Sequence, residues 1–421
     1  MILKMLKKYK SYLPYLMLIA GRAYFRLANL VLTAVLYHVW AKSIYGDYYS
    51  KIGIWFVIEP ILCVGMGKCA LKLLSVYKFL REILIREIIL VSIAMSFIII
   101  GITFILGHLL FRSLGAGFNV LDIMIILSSL VYGFSVTLQC ISRAIGKNHY
   151  DYTVSFVLGS FVIVLALINI FGSMTPLAIL WARTIFFAAI SLCLAIIILK
   201  LYPMKRKYNR KFYKISILRI TKESTFMALN NIIKNSSMSV INIVFRINGL
   251  FEAAADFNYV LNIGLFVFTT FYQYTITLFF PKIVGLARKG RKYFVERYRK
   301  KLLGFTATAF LFSVTAALII ILLGSGEIKY LFILSICALP TSMLYETILV
   351  FFEAALNKNL AITTSVCFSG LVICGISALL LIPQIQAAGA LFTLILTNIV
   401  PIGVFLWLIN KSTVFEYYEE G

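Results

Sequence analysis

Long apolar runs alternate with short polar segments along the whole chain. Most runs are about 20 residues or longer, the length a helix needs to cross a hydrocarbon core. The pattern predicts twelve spans, at roughly 12–40, 46–67, 84–111, 120–142, 152–172, 175–199, 224–248, 256–281, 303–324, 328–352, 359–382 and 386–409. Pro60 and Pro340 fall within two of them and predict bends, because proline removes a helix hydrogen bond. The N-terminal run continues past Trp40, far beyond a signal-peptide h-region, and reads as a retained first span.

The polar segments alternate in charge. Basic residues collect before span one, then between Lys68 and Arg86, at Arg143 and Lys147, in Lys200–Lys222 and between Lys282 and Lys301, with Lys358 and Lys411 beyond; together these hold 31 of the 40. The intervening loops hold about three: Lys42, Arg112 and Lys329. Basic segments are retained in the cytoplasm during insertion, so both termini are predicted to be cytoplasmic. The chain is then an all-α polytopic membrane protein. Its two six-helix lobes, 1–199 and 224–421, flank a basic cytoplasmic connector at 200–223 and are expected to surround a central cavity.

Composition agrees: 62% hydrophobic and 13% charged residues is too apolar for a soluble protein. The net charge of +24 sits in short runs beside apolar spans, where membrane lipid accounts for it, so nucleic acid is not a predicted partner. Seven scattered cysteines form no CxxC pair or metal-ligand spacing. There is no phosphate-binding GxxxxGK[ST] loop, so this chain does not hydrolyse ATP. The loops are too short to fold a further domain. The reading is therefore a transporter rather than an enzyme, without cofactor or metal, with H+ or Na+ as the ion that would drive it.

The halves look related. A shift of 209 positions sets Gly46-Asp47-Tyr48 against Ala255-Asp256-Phe257, and the polar first span then falls on the polar seventh. Six-helix parallel repeats place a substrate path between halves in several transporter classes.

Charges inside a bilayer cost at least about 2.5–3.5 kcal/mol each on insertion scales, so they mark candidate sites. Arg22 and Arg26 share a helix face, with Asn29 one turn beyond Arg26. They either snorkel to the headgroups or face a cavity. Span seven opens with Asn230, Asn231, Lys234, Asn235, Ser236 and Ser237, a cluster suited to a water-filled cavity or to interhelical hydrogen bonds. Arg246, one turn from the outer end of its span, either snorkels or faces the cavity, and Arg183, with no acid within a turn, is a further candidate for the cavity. Glu59 and Glu346 lie mid-span and either pair with an arginine or bind the coupling ion. Gln139, Gln273 and Asn169 read as helix–helix contacts. Six embedded bases (Arg22, Arg26, Lys51, Arg183, Lys234, Arg246) against two acids predict an anionic substrate, since arginine forks match phosphate oxygens.

The turn AKSIYGDYYSKIG at 41–53 resembles the Gly-x-Tyr/Phe turn after the first helix of Wzx-type polysaccharide flippases. FFPKIVGLARKGRKYF, from Phe279 to Phe294, resembles their Phe-Pro motif and basic loop. Their superfamily also holds multidrug extruders and lipid II flippases. The chain lacks the two extra helices usual in lipid II flippases, and its first span carries arginines where multidrug extruders carry an acid. The resemblance implies transfer of an undecaprenyl-diphosphate-linked oligosaccharide repeat unit to the outer leaflet, for surface polysaccharide such as capsule or O-antigen. It also implies alternating access and partners among other polysaccharide-assembly proteins. Arg22, Arg26 and Lys234 would meet the diphosphate, with Arg183, Arg246 and Asn231 lining the same cationic cavity. Glu59 or Glu346 would couple the ion. The rival readings are cation-coupled export of a drug or small amphiphile and a scaffold in a glycan-assembly complex.

Overall fold

A computed structural model describes residues 2–59, 61–113, 118–203, 210–264 and 360–410, with short pieces between 304 and 345. Pro60, Gln273, Glu346, the 279–294 motif and most of the span at 303–324 lie outside the described residues. The described chain is helical almost throughout, without a strand. Its helices are α1 (Ile2–Val39), α2 (Lys42–Trp55), α3 (Gly67–Val76), α4 (Arg81–Ser113), α5 (Val120–Ala144), α6 (Asn148–Phe171), α7 (Pro176–Leu201), α8 (Arg210–Ile247), α9 (251–264) and α10 (Leu360–Asn410). Among the described residues, six segments are long and apolar enough to cross a membrane. This is a multi-pass helical membrane protein.

The chain forms two compact units. One contains Met1–Val39 and Lys51–Asn235, the other Trp40–Ser50 and Ser236–Gly421. Helix α2 is thus divided at Ser50–Lys51 and α8 at Asn235–Ser236. The basic connector predicted at 200–223 falls within the first unit's range, and from Arg210 onward it is already α8.

In the first unit α1 packs mainly on α6, and α5 on α7. Small residues allow the first pairing: a Cβ on Gly159 would stand 2.7 Å from the Tyr24 ring. Helices embedded in lipid gain little from the hydrophobic effect between them, so close approach of this kind holds them together. The outward faces are apolar, as lipid requires. Helix α4 exposes Phe97, Ile98, Ile105 and Leu109 while burying Ile85, Ile88 and Ile99.

The second predicted span is not one helix. Helix α2 ends at Trp55, a turn covers 56–58, and a π-helical turn runs Ile61–Met66 before α3. The described break lies at 56–58, and Pro60 itself is outside the described residues. A neighbouring helix hydrogen-bonds the irregular backbone: Thr137 Oγ1 lies 3.0 Å from both the Leu62 and the Gly133 carbonyl oxygens. Non-helical backbone at membrane depth is tolerated where protein supplies such partners.

In the second unit Ile241, Phe245, Phe257, Ala378, Ile382 and Leu391 form the core. Asn258 Nδ2 donates to Asn242 Oδ1 at 3.0 Å, tying α9 to α8. Helix α10 is a hairpin rather than a rod. Gly370 packs against Pro401, and the chain reverses at Ile385 and Gln386. The two last predicted spans are its arms. Gln386 has φ 50° and ψ −122°, a positive-φ conformation that glycine adopts far more readily than other residues. A non-glycine residue there is strained by about 1–3 kcal/mol. Glycine removes that strain and returns part of the gain as unfolded-chain entropy. Gln386→Gly should therefore stabilise the protein by about 1 kcal/mol, seen as a raised midpoint of thermal unfolding in detergent. An unchanged or lowered midpoint would contradict the strained reversal.

Candidate functional site

Three predicted bases are paired with acids, two of them in the first turn of a helix. Arg22 Nη2 donates to Asp151 Oδ2 at 2.9 Å, with Nε 3.4 Å from Oδ1. Arg143 Nε stands 2.9 Å from the same Oδ2, an ion pair angled away from a hydrogen bond. Asp151 is fully buried in the first turn of α6, where the helix dipole favours a carboxylate. One carboxylate thus ties α1 and α5 to the start of α6.

Lys51 is buried beside an equally buried Asp122, Nζ to Oδ2 3.4 Å, and also donates to Asn119 Oδ1 at 3.1 Å. Trp55 Nε1 donates to Asp122 Oδ1 at 3.1 Å. Asn119 and Asp122 form the capping box that starts α5. Lys51 therefore anchors α2 on α5. In the second unit Arg246 Nη1 meets Asp47 Oδ1 at 2.7 Å.

The inventory of six embedded bases against two acids thus needs correction. Asp47, Asp122 and Asp151 face three of the six bases, and the acids went uncounted because they read as loop or span-end residues. The sequence carried one usable signal: Asn119 with Asp122 has the spacing of a capping box, which places that acid in the first turn of a helix.

Arg183 is different. It lies on α7, half-buried, and Nη2 donates to Asn29 Oδ1 at 3.1 Å, while Asn29 Nδ2 donates to the Phe25 carbonyl at 2.8 Å. Its guanidinium carbon sits 5.6 Å from the centre of the Phe187 ring. Phe25, Tyr132 and Phe187 form a triangle with centroids 6.0–6.3 Å apart. Among the described residues no carboxylate faces Arg183, and its Nε is buried without a hydrogen-bond acceptor. A neutral amide and a ring face offset a buried guanidinium less than an anion does.

Arg26 is half-buried one turn beyond Arg22 on α1. Asn231 is buried and Lys234 half-buried on α8, within the first unit. Glu59 is half-buried at the interruption after α2. Arg246 belongs to the second unit. Asn169 is no interhelical contact: it accepts from Met174 N at 3.3 Å and closes the end of α6. Among the described residues no group of three or more His, Cys, Asp or Glu could hold a metal. Burial pushes the Cys69 thiol up to about 12, which leaves it protonated and unreactive.

No family model and no curated protein matches the sequence. Solved structures do match the fold. An inward-facing multidrug-resistance MATE transporter of the MOP superfamily aligns with TM-score 0.62 and 14% identity over 93% of this chain and 100% of its own. The MATE multidrug transporter DinF-BH aligns with TM-score 0.65 and 15% identity over 96% and 95%. The lipid II flippase MurJ, inward closed, aligns with TM-score 0.62 and 17% identity over 94% and 88%. The chain has the fold of these MOP-superfamily proteins, which are transporters and not enzymes.

Breaking the Asp151 cluster leaves two guanidinium groups facing each other, so Asp151→Ala should destabilise by about 3 kcal/mol. Asp47→Ala, at a more exposed pair, should cost less than about 1 kcal/mol. Unfolding in detergent distinguishes them, and equal losses would show that Asp151 is not a structural centre.

Proposed function

We propose that the chain is a Wzx-type flippase. It moves an undecaprenyl-diphosphate-linked oligosaccharide from the inner to the outer leaflet of the bacterial cytoplasmic membrane by alternating access, for surface polysaccharide assembly. The observation that carries this reading is Arg183, a membrane-depth cation with only a neutral amide and a ring face as partners. A diphosphate offers such a guanidinium charge-assisted, forked hydrogen bonds. Arg26, on the same helix as Asn29, and Lys234 would contribute further positive charge. Arg22 supports the site by fixing α1, since Asp151 already holds its guanidinium. Likeness to a lipid II flippase supports a lipid-linked cargo.

A second reading, cation-coupled export of a small amphiphile, is favoured by the Phe25–Tyr132–Phe187 triangle and by likeness to multidrug transporters. Fold alone does not choose between them, because function resides in the site grafted on the fold. Charge supports the flippase: Arg183 would repel a cationic drug and attract a diphosphate.

Loss of a charge-assisted hydrogen bond costs about 1.5–3 kcal/mol, roughly ten- to a hundredfold. Arg183→Ala should therefore reduce surface glycan at least about tenfold and accumulate lipid-linked oligosaccharide inside, at unchanged protein level. Arg183→Lys should retain part of the activity. Unaltered glycan in Arg183→Ala, with raised sensitivity to toxic cations, would favour the exporter.

A further inference from the structure

Arg86 takes no part in the proposed substrate site, and its surroundings differ from those of other bases in the first unit. Arg22, Arg143 and Lys51 meet aspartates. Arg81 gives Nε to the Leu74 carbonyl and Nη2 to the Ala144 carbonyl, each at 3.1 Å, and so fixes the start of α4 to α3 and α5. Arg86 lies further along α4, half-buried, with its Nε covered and without a hydrogen-bond acceptor. Among the described residues no carboxylate stands within ion-pair distance of it, Glu82 one turn earlier included. At 3.6 residues per turn, Arg86 is about 140° around the helix from Arg81, while Leu90, Ile93 and Phe97 fall within about 40° of it. Leu90 and Phe97 are 60% and 71% exposed, so this is the stripe that α4 turns to lipid. Continued backwards it reaches Phe79, in the tight turn Lys78–Leu80 that leads into α4, and that ring is 95% exposed.

An arginine on a lipid-facing stripe cannot leave its donors in hydrocarbon. Long helical side chains lean towards the helix N-terminus, here the end that the basic segment from Lys68 to Arg86 assigns to the cytoplasmic side. Arg86 stands only about 7.5 Å along α4, so its guanidinium reaches back to the headgroup level near Phe79. A bare phenyl ring is costly in water, and acyl chains cover it at that depth. The lipid whose chains cover Phe79 holds its phosphate just above them, beside the guanidinium. Phosphate oxygens accept the forked donors of arginine with charge assistance that water does not match. We propose that Arg86 and Phe79 form a binding site for a phospholipid of the inner leaflet, with the guanidinium on its phosphate and the ring among its upper acyl carbons. The site needs the membrane-spanning fold alone, so it stands whatever the cargo is, and it holds the start of α4 at a fixed depth in the bilayer.

Photolabelling of the full chain tests this, in phospholipid vesicles doped with a phosphatidylglycerol whose diazirine sits near the top of one acyl chain. Irradiation should place adducts on residues 79–90, located by peptide mass spectrometry. A diacylglycerol with the same diazirine and no phosphate should give at least about tenfold fewer adducts there, the loss expected for one charge-assisted hydrogen bond. Arg86→Gln should lower phosphatidylglycerol labelling by a similar factor, and Arg86→Lys by less. Unchanged labelling in Arg86→Gln would overturn the site. So would equal labelling of the wild type by the two lipids, a comparison that does not depend on any variant folding. Displacement of the probe by equimolar undecaprenyl diphosphate would assign the position to a lipid-linked cargo and overturn the phospholipid site as well.

Discussion

A charge in hydrocarbon must find a partner, and most of this structure follows from how the chain supplies them. Acids stand at or near the starts of helices, where the peptide dipoles already favour negative charge, and bases reach them from neighbouring helices. Asp122 and Asp151 serve at the same time as helix-start residues and as counter-ions for Lys51, Arg22 and Arg143. Moving either helix along its axis would separate a buried pair. The vertical registration of α1, α2, α5 and α6 is thus set by electrostatics, while close packing at residues such as Gly159 sets their lateral spacing.

The backbone obeys the same rule. An amide or carbonyl released from a helix inside a membrane needs another partner. The interruption after α2 is tolerable because Thr137 on α5 reaches the Leu62 carbonyl, and α5 is itself fixed by the Asp122 pair with α2. Irregular backbone and ionic anchor lie on the same two helices. The chain can therefore bring Glu59 to a break in the helix without losing the packing around it.

The spans were legible because apolar runs of that length have no other stable use, and the hairpin of α10 was legible as two spans around 382–386. Much of the ionic chemistry was not. Asp47, Asp122 and Asp151 are each ordinary residues of a turn or helix start in sequence, and nothing one-dimensional says that Arg246, Lys51 and Arg22, all distant in the chain, will reach them. Arg22 and Arg183 looked alike for this reason: both are arginines in an apolar run, and only the fold gives one a carboxylate and the other an amide. The start of α8 at Arg210 was hidden by charge, since lysine and arginine are good helix formers that also mark connectors.

What separates an anchoring cation from a binding one is the state of its partners. Arg22 has committed its fork to Asp151, so a passing phosphate would have to compete with a buried carboxylate already aligned at 2.9 Å. Arg183 is aimed by Asn29 and seated on Phe187, contacts that fix direction and leave the charge uncompensated among the described residues. An amide that accepts one N–H positions a guanidinium without neutralising it, which is the arrangement a site for a transient anion requires: strong enough to order the group, too weak to occupy it. A carboxylate in place of Asn29 would complete the pair and abolish the attraction. The identity of residue 29, a neutral amide one turn past Arg26, is therefore as much a part of the proposed specificity as the arginine it holds.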